Sequence, residues 1–240
     1  MDKIIYAPKG RAAEYCKLAV NLYKGCCHGC TYCYVPNATF SKPCAFYENV
    51  SCRKNIIEKL EKDAEVNQGK GEYVLLSFSS DPYQKIDEAA QLTRQAIKIL
   101  KNNNYKIMIL SKAGTKVCRD FDLLDGEDFV GATLTMDNEK NSKSWEPSAA
   151  LPDDRIEMLR RAKEAGLKTW VSLEPVLYPE QTLRLIDLTY KFVDLYKVGV
   201  LNHHPRAKEI DWKKFAKDVV KKLDEKKKNY YIKKDLKKFL

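Results

Sequence analysis

Six β-rich segments, at residues 16–22, 73–79, 106–111, 129–135, 168–173 and 195–200, alternate with amphipathic stretches from the first cysteine onward. This alternation limits the possible fold more than any other feature. Strand, helix, strand in regular order predicts a parallel sheet made of crossover units. Six units are too few to close the usual eight-stranded barrel, so the expected architecture is α/β: an open (β/α)6 partial TIM barrel with a lateral opening wide enough for a large substrate. Residues 88–101 read as a helix with Leu92, Ala96, Ile99 and Leu100 on one face, and residues 153–165 as another that Gly166 closes in left-handed conformation. Residues 179–190 and 212–223 are similar, 53–66 form a weaker candidate, and a short turn is expected at 118–124.

A chain of 240 residues, 44% hydrophobic and 32% charged, carries enough apolar material for one domain with a real core. No apolar run approaches the roughly 18 residues needed to cross a bilayer, and the opening MDKIIYAPKGRAAEY lacks a signal-peptide core, so a cytoplasmic location without membrane contact is expected. The net charge is +10, of which +6 falls in the last twenty residues, KKLDEKKKNYYIKKDLKKFL. The chain therefore divides into a barrel domain over 1–220 and a lysine-rich tail or helix over 221–240. That tail offers either a phosphate-binding surface, with Tyr230, Tyr231 and Phe239 available for stacking on nucleic acid, or a solvated helix face.

In parallel α/β folds the chemistry gathers at the carboxyl ends of the strands. Here the segments in that position are GCCHGCTYCYVP, SSDPYQ, SKAGTK, TMDNEK, EPVLYPE and NHHP. The first contains Cys26, Cys30 and Cys33 in the spacing CxxxCxxC, within a loop at 26–33 in which Gly25 and Gly29 let the backbone wrap a ligand. A [4Fe-4S] cluster wants a thiolate at each of its four irons, so three cysteines leave one iron open to a non-protein ligand. Zinc would need a fourth donor, and Cys27 and His28, the nearest, are squeezed inside the same loop. Cys16, Cys27, Cys44, Cys52 and Cys118 have no ligand spacing and read as ordinary buried thiols rather than ligands of a second cluster.

The loop, with Tyr32 before its last cysteine, resembles the radical S-adenosylmethionine superfamily. RAAEY, NLYKGCCHGCTYCY, SSDPYQ followed by LTRQAIKIL, then SKA, then EP with DDRIEMLRRAKEAG, are similar in order to the group of spore photoproduct lyase and the DNA repair photolyase-like proteins, over roughly residues 11–180. The resemblance implies that S-adenosyl-L-methionine chelates the open iron, that an external one-electron reductant feeds the cluster, and that cleavage of the cofactor yields a 5'-deoxyadenosyl radical that takes hydrogen from a substrate. It implies that Ser80 and Asp81 meet the cofactor's ammonium group, although an Asp-Pro turn in which Asp81 caps the following helix fits the same residues. Lys112 matches the lysine that meets the methionine carboxylate, and Thr135 and Asp137 match polar positions facing the cofactor. Tyr32 and Tyr34 can pack on adenine, shield the cluster or fill core.

By fold logic Glu174, ending the fifth strand, points at the same mouth and is a candidate for cofactor or substrate binding. Glu146 and Arg155 can pair to fix the loop after the fourth strand, and Asn202, His203 and His204 end the sixth. The resemblance departs at one position: the hydrogen-donating cysteine that spore photoproduct lyase carries two residues before Ser-Asp is Phe78 here. The chain is also shorter than that enzyme, so thymine-dimer repair is not expected. Two function classes follow. One is a radical enzyme acting on nucleic acid, a peptide or a metabolite, its specificity supplied by a partner protein; the other is an iron-sulfur protein that binds nucleic acid or a partner, its cluster structural.

Overall fold

The computed structural model describes residues 3–240. Nine strands are present among them: β1 (Leu18–Val20), β2 (Tyr23–Lys24), β3 (Ser51–Cys52), β4 (Tyr73–Leu76), β5 (Lys106–Ser111), β6 (Phe129–Thr133), β7 (Lys168–Leu173), β8 (Leu195–Val198) and β9 (Asn229–Ile232). Seven form one sheet in the order β1-β4-β5-β6-β7-β8-β9, parallel at every pairing, while β2 and β3 make a small antiparallel ladder. β1 and β9 are the two edges, so the sheet curls without closing. No helix among the described residues is long and apolar enough to cross a membrane.

The outer face of the sheet carries the main core. The helix Leu92–Asn102 buries Thr93, Ala96, Ile97 and Leu100, and the helix Pro152–Glu164 buries Ile156, Met158, Leu159 and Ala162, both at the spacing of one helical face. Gly166, at φ +78°, follows the second helix and lets the chain turn into β7. The expected single helix over 88–101 is two, Lys85–Ala90 and Leu92–Asn102, separated by Gln91 at φ +46°. The break has a local cause: buried Asp87 accepts the backbone N–H of Thr93 at 2.9 Å and the hydroxyl of Tyr23, holding the second helix out of register with the first.

The inner face is packed rather than hollow. Ala19, Leu75, Met108 and Trp170 are buried there. Trp170 donates its indole N–H to the Ile109 carbonyl at 2.8 Å and lies flat over Gly131, where a Cβ would come within 2.2 Å of the indole nitrogen. Only glycine admits that approach.

Residues 221–240, expected as a tail or a helix, are folded into the domain. The helix Trp212–Glu225 runs across the 220/221 boundary, and Asn229–Ile232 adds the seventh strand. Leu223, Ile232 and Leu236 are buried, and Tyr230 and Tyr231 donate their hydroxyls to Asp224 and Glu14. The lateral opening is also bridged. A 3-10 turn at Gly10–Glu14 lies against β9, tied by the Arg11–Asp235 ion pair and by Glu14, whose carboxylate accepts the Lys234 N–H at 2.8 Å. Buried Lys197 on β8 donates to the carbonyls of Glu14 and Tyr15 at 3.0 and 2.6 Å.

Candidate cofactor site

After β2 the chain turns at Gly25, φ +75°, where a Cβ would meet the Phe46 carbonyl oxygen at 2.5 Å. The helix Pro43–Glu48 thus packs directly on the cysteine loop. Cys26, Cys30 and Cys33 line one cavity of ≈ 860 Å³ at the carboxyl ends of β4, β5, β7 and β8. Burial pushes all three thiols up, Cys30 to about 11 and Cys26, which also faces the Asp81 charge, further still. These are thiols whose ionisation calls for an adjacent positive centre. His28 lines the cavity, and burial holds its imidazole below the ordinary value despite Asp81 at 3.6 Å. Cys27 does not line it.

All eight cysteines are free. The expectation of buried thiols outside the loop fails for Cys44 and Cys52, which are exposed on the helix Pro43–Glu48 and on β3. Those two elements are too short and too near the surface to cover both faces. Cys16, Cys27 and Cys118 are half-buried.

Of the other predicted residues, Tyr32, Tyr34, Ser80, Asp81, Lys112 and Glu174 line the cavity. Asp81 accepts the Tyr83 N–H and the Ser111 hydroxyl at 2.9 Å each and the Lys112 N–H at 2.7 Å, which is the turn-forming role plus a tie to the end of β5. The hydroxyls of Ser79 and Ser80 are buried without a partner. The Lys112 ammonium lies 5.8 Å from the Tyr32 ring centroid. Burial works against its charge, but Cys30 and Glu146 more than offset that and hold its pKa above the ordinary lysine value. Tyr34 is 56% exposed at the rim.

Thr135 and Asp137 do not line the cavity. Beyond β6 the chain bends behind the site, where the Thr135 hydroxyl donates to Glu146 at 2.9 Å and Asp137 pairs with Arg184. Asn202, His203 and His204 do reach the cavity, and the His204 ring caps the loop by accepting the Arg206 N–H at 3.2 Å.

Glu146 and Arg155 form the expected pair, with both side chains at most 1% exposed. The Glu146 carboxylate also accepts the Tyr32 hydroxyl. Burial would raise its pKa, but Arg155 and Lys112 hold it below the usual carboxylate range. Arg155 donates further to the carbonyls of Ala150 and Thr133 at 2.8 and 2.9 Å.

Among the cavity residues that escaped the sequence reading are Tyr15 and Lys233. Tyr15 donates its hydroxyl to Glu174 and lies beneath the Lys233 ammonium, 4.0 Å from its ring centroid, and Lys233 also pairs with Glu174. Tyr15 carried a signal, since it ends the RAAEY motif. Lys233 carried none within a run of lysines.

A family model described as the Radical SAM superfamily matches residues 20–193. Among curated relatives, an uncharacterised protein of Acidianus two-tailed virus is 29% identical over 198 residues, 76% of this chain and 64% of that one. One from Methanocaldococcus jannaschii is 29% identical over 196 residues, 78% of this chain and 71% of that one. The chain thus spans somewhat less than two thirds of its viral relative. Among solved structures, a spore photoproduct lyase variant aligns with TM-score 0.73 at 15% identity, covering 96% of this chain and 79% of that one. A variant of the same lyase with bound AdoMet and dinucleoside spore photoproduct aligns at 0.69 and 16% identity, covering 95% and 78%. SuiB of Streptococcus suis bound to S-adenosylmethionine aligns at 0.65 and 15% identity, covering 90% and 50%. At these identities the structural likeness is one of fold.

Proposed function

The chain belongs to the Radical SAM superfamily, and from that premise we propose that it is a radical enzyme whose Cys26, Cys30 and Cys33 hold a [4Fe-4S] cluster beside a site for S-adenosyl-L-methionine. The residues fit both groups. Three thiols in CxxxCxxC spacing line one cavity, and a cluster takes one thiolate per iron. The orphaned Ser79 and Ser80 hydroxyls and the charged Lys112 ammonium suit a ligand carrying an ammonium and a carboxylate. When bound and reduced from outside, these groups supply a 5'-deoxyadenosyl radical that abstracts hydrogen from substrate.

The protein's own work is to bind, orient and exclude water. Lys112 is the carboxylate anchor, and Ser80 with the loop that Asp81 holds in place receives the ammonium. Tyr32 screens the cluster side and Tyr34 the rim. Glu174, already engaged by Tyr15 and Lys233, belongs to the substrate side of the cavity. Phe78 lines the cavity where spore photoproduct lyase would carry its hydrogen donor, so the reaction ends differently from lesion repair. Lys9 at the rim favours an anionic substrate, nucleic acid among them. A partner protein that helps select the substrate remains part of the reading, and turnover by the purified chain alone would remove it.

The observation that carries the proposal is the sharing of one cavity by three thiols, two orphaned hydroxyls and a half-buried lysine. Its test is anaerobic reconstitution with iron and sulfide, reduction with dithionite, and chromatographic detection of 5'-deoxyadenosine from added S-adenosyl-L-methionine. The expected result is product from the native chain and none from Cys30→Ala. An intact cluster with no product would point instead to a structural cluster in a binding protein.

A further inference from the structure

Residues 145–155 connect several parts of the site, yet none of them lines the cavity. The Trp145 carbonyl accepts the Thr31 N–H at 2.9 Å, the Ser148 N–H donates to the His28 carbonyl at 3.1 Å, and the Ala150 N–H donates to the Lys112 carbonyl at 2.9 Å. The Trp145 ring stands 6.5 Å from that of Tyr32 and 5.2 Å from that of His204, and its indole N–H donates to the Tyr178 hydroxyl at 3.1 Å. Side-chain bonds repeat the pattern, since Glu146 joins Tyr32, Thr135 and Arg155, and Arg155 reaches back to the end of β6.

We propose that this segment is a brace and that Glu146 is its positioning residue, holding the cysteine loop and Lys112 in one geometry before any cofactor arrives. The argument is one of charge and geometry. A carboxylate with no solvent persists only if its lone pairs are filled by fixed donors. Arg155 alone would balance the charge of Glu146; Tyr32 and Thr135 are additional donors from the cysteine loop and from the strand end behind it. Tyr32 lies between Cys30 and Cys33, so fixing its hydroxyl fixes the backbone that presents both thiols. Glu146 therefore acts through Tyr32 and touches neither cluster nor cofactor. The inference rests on the proposed site, but its first readout does not need a loaded enzyme.

The experiment compares native protein with Tyr32→Phe and Glu146→Gln, anaerobically and without iron, by amide hydrogen exchange over residues 26–34, with β6 to β8 as internal control. Both variants are expected to exchange about tenfold faster in the loop than native protein while the control strands are unchanged. The double variant should be no faster than Tyr32→Phe alone, because without the Tyr32 hydroxyl the loop has no bond through which Glu146→Gln can act. Tyr32→Phe keeps the Glu146–Arg155 pair and so remains informative if Glu146→Gln unfolds. Loop exchange at the native rate in Tyr32→Phe overturns the proposal, as does a uniform acceleration of loop and control. After reconstitution, the same variants should lose affinity for S-adenosyl-L-methionine. A native protein that assembles no cluster while the loop result holds would defeat the cofactor reading and leave the brace standing.

Discussion

The two ends of the sheet solve the problem of charge differently. At the amino ends of β5, β6 and β7, Lys106 and Lys168 flank Glu127 at 2.8 and 3.2 Å and lie 5.7 Å over the rings of Tyr73 and Phe129. Glu127 is more than half exposed there, and water shares its charge. At the carboxyl ends, Glu146, Arg155 and Asp81 are buried, each satisfied by donors or acceptors from several elements. Burying charge costs stability unless every lone pair is filled. The mouth buries three such groups around one cavity; the base buries Asp128, which accepts the Ile107 N–H at 2.6 Å and pairs with Lys101, and leaves Glu127 and its two lysines in contact with water.

The largest contrast should come from breaking one pair at each end. Arg155→Met leaves Glu146 charged and buried, and urea denaturation should show a loss of about 3–5 kcal/mol. Lys112→Met should weaken binding of S-adenosyl-L-methionine to the reconstituted protein by about 10- to 100-fold, the value of one charge-assisted contact, with a smaller effect on folding; equilibrium dialysis reads it, and native affinity would remove Lys112 from the site. Between the ends, burial lowers the Lys197 pKa to about 8, with Lys233 adding to the effect and Cys16 and Glu14 opposing it. The folded state then gives up that proton before the unfolded chain does, so stability should climb as pH rises from about 8 towards about 10.4. That slope should flatten in Lys197→Met, seen as the difference between the two proteins' denaturation curves. The smallest effect belongs to the base, where Glu127→Gln should leave the melting temperature nearly unchanged. A loss like that of Arg155→Met would erase the contrast.

The outline of the fold was legible because each inner strand is a short β-rich run between helical patterns, and β5 and β7 fall on the residues read for them. β9 was hidden because lysines flank it closely, and only Ile232 of its four residues is fully buried. The break at Gln91 depends on Asp87 bonding to Tyr23, far away in the chain, and periodicity cannot register such a bond. The three cysteines stood out by spacing, and Lys112, Ser80 and Asp81 by resemblance. Thr135 and Asp137 shared that resemblance but do not line the cavity, since position after a strand does not determine which way the chain bends next. Tyr15, Glu174 and Lys233 meet only once the first and last segments pack together, and nothing local announces such a meeting.

Mössbauer spectroscopy of the anaerobically reconstituted protein, with and without S-adenosyl-L-methionine, tests the central claim most directly. Three cysteine-bound irons and one open iron predict that the cofactor shifts the signal of one site and leaves the others in place. A spectrum that the cofactor does not change, or iron bound as single ions, would contradict it.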